Sequence, residues 1–335
     1  MLKNAFIDWL TITQHHQASE PLPIVQNGIR VDYNAEGIPI FERASPRQCI
    51  GSFDTSVRVS CDGFRVSLSG NVGRFARQDN LYGFGISQTI KRANAILALF
   101  YLPPFTVSQT LPNGETRLGA SVSRLDFTVN YATGSEFKAR QAINSFATLS
   151  VSRVKKGRAG DESYWFANTR YMFKAYIKHL EMLKHGASKD CPVYQYALNN
   201  GILRLELELK RRLLGELNMR RLEDITDEKL EAIFEKQTEF ARKFTTDDFA
   251  DALEHIPTKS RIYAESWHKG IDLKNTCSRA TLFRHAKVLR EYGIDILADR
   301  NIEHLTPQIR FVDLIPLPVP NWYHDTPDEL IKKAA

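Results

Sequence analysis

The stretch RYMFKAYIKHLEM, Arg170 to Met182, gathers reactive side chains around one tyrosine. Lys174, Lys178, His179 and Glu181 all lie within five residues of Tyr176. A phenol has a pKa of about 10, so it attacks poorly until it is deprotonated or charge-assisted. On a strand, side-chain alternation sets Lys174 and Lys178 on the Tyr176 face and turns His179 and Glu181 away. If the chain has turned helical by then, His179 comes round beside Tyr176. Tyr176 is thus either a half-buried packing residue or a nucleophile attended by lysines.

Acids recur on three apolar segments. FIDWLT places Asp8 inside an apolar run, and RLDFTVN places Asp126 two residues after Arg124. RLELELK sets Arg204, Glu206, Glu208 and Lys210 on one face and Leu203, Leu205, Leu207 and Leu209 on the other. An isolated carboxylate is costly to bury, so each acid needs an arginine, backbone donors or a metal. One reading is a wet sheet face with Arg–Glu pairs across strands. The other is a concave site whose hard oxygens suit Mg²⁺ or Mn²⁺, an ion that would polarise a phosphate oxygen. His179, in KHLE, is a further candidate ligand, set against its reading as a satisfied structural histidine.

Other chemistries lack their signatures. There is no G-x-x-x-x-G-K-[ST] loop, no G-x-S-x-G elbow and no His-hydrophobe-His triplet. Cys49, Cys61, Cys191 and Cys277 form no C-x-x-C pair, which argues against a zinc site or a disulfide framework.

The elements that must hold these residues are legible in outline. AFIDWLTIT and VSRLDFTVNYA read as strands, and TSVRVSCDGFRVSLSG reads as a hairpin turning at Asp62-Gly63. SQTIKRANAILALFYL reads as a helix stopped by Pro103-Pro104. GSEFKARQAINSFATL is an amphipathic helix with Ser135 as N-cap. VKKGRAG reads as a basic loop, the aromatic segment after it as a strand turning helical, and GILRLELELKRRL as a strand. From about Gly215 the pattern becomes helical, with helices expected over TDEKLEAIFEKQTEFARKF, TTDDFADALEHI and 278–292, the last closed by Gly293. The expectation is an α+β fold: a β-rich domain over 1–215 and a smaller helical domain over 216–335.

The formal charge is +6 and the pI about 9.0, which favours a polyanionic partner. SRVKKGRAGDE, ELKRRLLGELNMRR and CSRATLFRHAKVLRE carry much of the excess. No apolar run approaches the roughly 18 residues of a membrane span, and the start lacks a secretory signal, so a cytoplasmic location is expected.

Taken in order, FIDWLT, SGNVGRFARQDNLYGFG, SRLDFTVNYATGSEFKARQAI, RYMFKAYIKHLEM, LRLELELK, SRATLFRHAKVLREYGIDI and IRFVDL…PNWY resemble the replication initiators of filamentous bacteriophages, the gene II protein family. The resemblance implies a central antiparallel sheet with flanking helices, like the palm of nicking endonucleases. It implies an enzyme of the bacterial host cytoplasm that nicks one strand of a double-stranded, supercoiled origin. A tyrosine would become linked to the 5′ phosphate, leaving a 3′-OH for the host polymerase. The ends would be rejoined after rolling-circle synthesis, in which a host helicase and the displaced single strand take part. Carried over residue by residue, the nucleophile is Tyr176, and Asp126 and Glu206 are the acids that hold the divalent ion. On the physical chemistry of the segment, Lys178 or Lys174 assists Tyr176 or holds the scissile phosphate, His179 is the candidate further ligand beside Asp8 and Glu181, and Arg124 and Arg204 bind adjacent phosphates or orient the carboxylates. Arg279, Arg284 and Lys287 on the 278–292 helix are expected to contact DNA. Rival expectations are a non-catalytic origin-binding protein, a relaxase- or transposase-like enzyme, and an RNA-binding module.

Overall fold

The structure is a computed structural model. It describes residues 4–17, 20–148, 154–241, 243–247, 253, 256–292, 294–297 and 309–325. The chain begins with strand β1 (Phe6–His15), an outlying hairpin β2 (Ile29–Tyr33) and β3 (Pro39–Ala44), then β4 (Arg47–Ile50), β5 (Ser56–Cys61) and β6 (Arg65–Gly70). Helix α1 (Ile86–Ala98) and a short hairpin β7 (Gln109–Thr110) and β8 (Thr116–Arg117) follow. Next come β9 (Ser121–Ala132), α2 (Glu136–Thr148), β10 (Lys155–Ala159), β11 (Ser163–Ala167), β12 (Tyr171–Ile177) and α3 (Lys178–Lys184). The run closes with α4 (Pro192–Asn199), β13 (Ile202–Lys210), α5 (Arg211–Glu216) and α6 (Asp227–Gln237). Beyond it lie β14 (Lys243–Asp247), the helices Thr258–His268, Leu273–Thr276 and Arg279–Glu291, and strands β15 (Ile309–Asp313) and β16 (Ile315–Pro316).

The fold is α+β, built on one ten-stranded antiparallel sheet. Its order is β10-β11-β12-β13-β9-β1-β6-β5-β4, with β16 pairing with the end of β9. The local signals behave as their chemistry requires. Asp62 accepts the N–H groups of Phe64 and Arg65 at the β5–β6 turn, and Gly63 takes φ +99°. Ser135 caps α2 at the Lys138 N–H, Thr226 caps α6 at Lys229, and Ser278 caps the last helix at Thr281.

The two sheet faces differ. Leu203, Leu205, Leu207 and Leu209 join Leu125, Phe127, Val129 and Phe173 in the core. Helices α2 and α6 cover that face: Phe146 meets Phe173 at 6.3 Å and Phe234 meets Phe127 at 5.7 Å. The opposite face carries the polar set, and one end of it is covered. There Leu81, Tyr82, Tyr194, Tyr323 and Ile202 form a second core with Phe6. The tail returns to this point: Tyr323 donates to Asp79, and Asn4 donates to Leu317 O. The 258–291 helices pack around their own core, which includes Ala264, Leu282, Ala286 and Leu289.

Two elements depart from the sequence reading. Lys155–Ala159 is an edge strand rather than a loop, its lysines lying along the sheet margin where charge blocks further pairing. Lys243–Asp247 is a strand paired with Ile309–Asp313, whereas residues 245–256 read as helix; most of the rest of that stretch, like Gly293, lies outside the described residues. The partner strand is some 60 residues away, and helical periodicity cannot register it. Among the described residues no helix is long and apolar enough to cross a membrane.

Candidate active site

Strand register builds the site. On β12, Lys174 stands opposite Glu206 and Tyr176 opposite Arg204 of β13; on β9, Thr128 stands opposite Glu206 and Asn130 opposite Arg204. A bulge in β1 between Ile7 and Trp9 falls at Asp8. Such bulges re-aim a side chain, and this one lets Asp8 act on Glu206, Tyr176 and Lys178 from the polar face.

The Tyr176 hydroxyl donates to Glu206 Oε1 at 2.5 Å, and Lys174 Nζ lies 3.5 Å from Glu206 Oε2. Burial, reinforced by the Asp8 carboxylate, raises the pKa of Glu206 above the usual carboxylate range. Burial and the Glu206 charge also push the Tyr176 phenol well above its ordinary value. Tyr176 is therefore protonated at rest, with a strengthened base already in contact with its proton. Burial works against the Lys174 charge, but Glu206 and Asp126 outweigh it and keep the ammonium protonated.

Strand β12 ends at Ile177, and α3 starts with Lys178. The turn brings Glu181 beside Lys178, not His179 beside Tyr176. Lys178 Nζ donates to Glu181 Oε2 at 2.5 Å and to Asn80 Oδ1 at 2.8 Å. Burial and the Arg204 guanidinium lower the Lys178 pKa to about 8. Asp8 accepts from Asn71 and Asn80, so the 71–84 segment ties β1 to α3. A groove of about 240 Å³ opens beside the hydroxyl, lined by Trp165, Lys174, Tyr176, Leu180, Glu181 and Lys184 among others.

Other expected residues sit apart from this centre. His179 is fully buried between α2 and α4, its Nε2 2.9 Å from Glu136 of α2 and its ring edge-on to Tyr194 of α4. That anchors α3 to α2 and leaves His179 away from Glu206. Arg204 is fully buried; it donates to Asn130 Oδ1 and to the carbonyls of Asn80 and Leu81, so it holds the 71–84 segment down rather than meeting solvent. Asp126 is gripped by Arg124 at 2.9 and 2.7 Å, and Arg124 also reaches Glu208 at 3.2 Å. In the last helix Arg279, Arg284 and Lys287 are exposed. On the same helix, buried His285 stacks on Tyr263 at 4.2 Å and meets Ser260 at 2.9 Å.

Asn71, Asn80 and Thr128 are additions to the site that sequence reasoning did not single out. The alternation Asp126, Thr128, Asn130 was a usable signal for Thr128. The asparagines lie in a segment without periodicity.

A family model for the N-terminal part of the gene II replication-associated protein matches residues 7–228, and one for its C-terminal part matches residues 255–327. The chain belongs to the gene II family of replication-associated proteins. This gene II family chain is 23% identical over 344 residues to the replication-associated protein of that family from Enterobacteria phage I2-2, covering 95% of this chain and 96% of that one. It is 26% identical over 318 residues to the corresponding protein of Escherichia phage If1, covering 80% of this chain and 97% of that relative. A role in replication initiation follows for the gene II family chain described here.

Proposed function

We propose that this protein nicks one strand of a double-stranded phage origin through Tyr176 and later rejoins the ends. The observation that carries the reading is the Tyr176–Glu206 hydrogen bond on a sheet face lined by Lys174, with Lys178 close by. The Tyr176 oxygen attacks the scissile phosphorus, and its proton passes to Glu206. The bond between phosphorus and the 3′ oxygen breaks, leaving a 5′-phosphotyrosine and a 3′-OH. Lys174 neutralises charge on the phosphate, and Lys178, with its lowered pKa, supplies a proton to the leaving oxygen. The ester retains the bond energy, so attack by a 3′-OH reverses the step without ATP. That 3′-OH would prime the host polymerase, with a host helicase opening the duplex ahead.

The resemblance implies a divalent ion; among the described residues no group of three or more Asp, Glu, His or Cys is placed to hold one, but a smaller donor set lies near Tyr176. Asp8 and Glu206 bring two carboxylates, the Asp8 charge raises the cost of ionising Glu206, and the Thr128 hydroxyl opposite Glu206 is buried without a partner. Two carboxylates plus phosphate oxygens suit Mg²⁺. Asp126 is committed to Arg124 and His179 to Glu136, so Asp8 replaces both in the ligand set we favour. When bound, the ion would neutralise phosphate charge as the P–O bond breaks.

The test uses supercoiled plasmid carrying the phage origin. With Mg²⁺, the wild-type protein is expected to give nicked circles with a protease-sensitive adduct at the 5′ end. Tyr176→Phe is expected to give neither. Nicking by Tyr176→Phe at the wild-type rate would overturn the reading.

A further inference from the structure

The polar sheet face does not stop at Tyr176. It runs along β9 and β1 past Arg124 to a second groove, of about 770 Å³, at the far end of the same face. Hydroxyls of Thr13, Ser67, Ser121 and Ser123 form part of its lining. Arg65 enters from β6, and Arg211 and Arg220 from the start of α5 and the loop after it. Arg211 and Arg220 also line an adjoining groove of about 510 Å³ with Lys210 and Arg212, so they stand on the ridge between the two.

Three features suit this trough to a polyanion. Arg65, Arg211 and Arg220 make no ion pair among the described residues, whereas Arg124, Arg140 and Arg170 all do. Arg220 Nε is shielded from solvent and has no partner. Its backbone is nevertheless fixed, because Arg220 O accepts the Val122 N–H of β9 at 2.8 Å and Arg221 bridges to Ser121. Arg220 is thus anchored at its backbone while a donor of its guanidinium goes unused within the protein. Two acids, Glu42 and Asp62, also line it; Asp62 is already engaged by the Phe64 and Arg65 backbone N–H groups and feels the Arg65 charge.

We infer that this trough holds the phosphate backbone of a DNA strand whose scissile phosphate lies at Tyr176. The inference rests on the nicking reading above, and it adds a path. From the Thr128 row, beside the Tyr176 hydroxyl, to Ser121 in the trough is seven residues along β9, or about 23 Å at roughly 3.3 Å per residue. That equals about seven nucleotides at the stacked spacing of roughly 3.4 Å, fewer if the strand is stretched. Apart from the two acids and Cys61, the lining is hydroxyls and guanidiniums without aromatic rings, so it suits phosphates and leaves base stacking to Trp165 in the groove at the other end.

The test measures binding of a fluorescein-labelled single-stranded DNA across a salt series, using full-length Tyr176→Phe protein so that no cleavage intervenes. Arg211→Gln/Arg220→Gln is expected to weaken binding about tenfold or more. It should also flatten the slope of log affinity against log salt by about 1.4, roughly 0.7 per lost phosphate contact. Arg65→Gln, on strand β6 and away from α5 and its following loop, should remove about half as much slope, which guards against a local folding defect in the double variant. A DNA too short to leave the Tyr176 groove should bind all these proteins alike. Unchanged affinity and slope in both trough variants would overturn the path while leaving nicking by Tyr176 intact. Equal losses on short and long DNA would overturn it too. Absence of a Tyr176 adduct in wild-type protein would sink the nicking reading, yet the binding series would still report on the trough.

Discussion

The Tyr176 hydroxyl and the Glu206 carboxylate meet at 2.5 Å across the β12–β13 pair, two residues out of register. Tyr176 stands opposite Arg204, and its ring reaches diagonally to the next side chain on the same face of β13. The proposed nucleophile and its proposed base are thus set by two paired strands, not by a loop. Glu206→Gln keeps the shape and removes the base. It is expected to lower the single-turnover nicking rate by about 10²–10⁴ with the melting temperature little changed. Nicking within threefold of wild type would remove Glu206 from the role of base.

The pH dependence should be bell-shaped. Glu206 must be ionised to accept the proton, and its pKa is raised by burial and by Asp8, so the acidic limb should lie above the ordinary glutamate value of about 4.3. Lys178 must be protonated to serve the leaving oxygen, so the alkaline limb should fall near its pKa of about 8. Lys178→Arg should move the alkaline limb upward. Stability carries its own signature. The folded pKa of Lys178 lies below its unfolded value of about 10.4, so the unfolded chain binds more protons between the two. Stability should therefore rise with pH across that window, and Lys178→Met should abolish the rise.

Metal dependence separates the acids. Asp8→Asn is expected to raise the Mg²⁺ concentration needed for half-maximal nicking about tenfold or more. His179→Ala should cost about 2 kcal/mol of stability through the lost α3–α2 anchor while leaving that concentration unchanged. The reverse pattern, seen in Mg²⁺ titrations of the two variants, would restore His179 to the ligand set.

Asp126 depends on Arg124. The carboxylate is buried, and burial raises its pKa even with the guanidinium in place. Arg124→Ala would leave that acid without its hydrogen-bonded partner, with only the more distant Lys174 charge, and should destabilise the fold by about 3 kcal/mol in urea titrations. A loss below about 1 kcal/mol would show that Asp126 has another source of compensation.

Much of this was legible in the residues. The Leu/charge alternation of 202–210 predicts a strand with one apolar and one charged face, and the acids on RLDFTVN and RLELELK do converge on that face. What was not legible depended on distant partners. The β1 bulge that aims Asp8 exists only because β1 pairs with β9. Arg204 reads as a solvent-facing cation, but carbonyls from residues 80 and 81 cover it. The place of His179 hinged on where β12 ends; the helix begins one residue after Ile177, and that single step brings Glu181 to Lys178 and sends His179 to Glu136.

The most direct test of the central claim is to map the covalent adduct. Origin DNA is nicked, the complex is digested with trypsin and nuclease, and the nucleotide-bearing peptide is sequenced by mass spectrometry. The expected product is the peptide Ala175–Lys178 carrying a nucleotide phosphate on Tyr176. A nucleotide on Tyr164, Tyr171 or any other residue, with Tyr176 unmodified, would contradict the account.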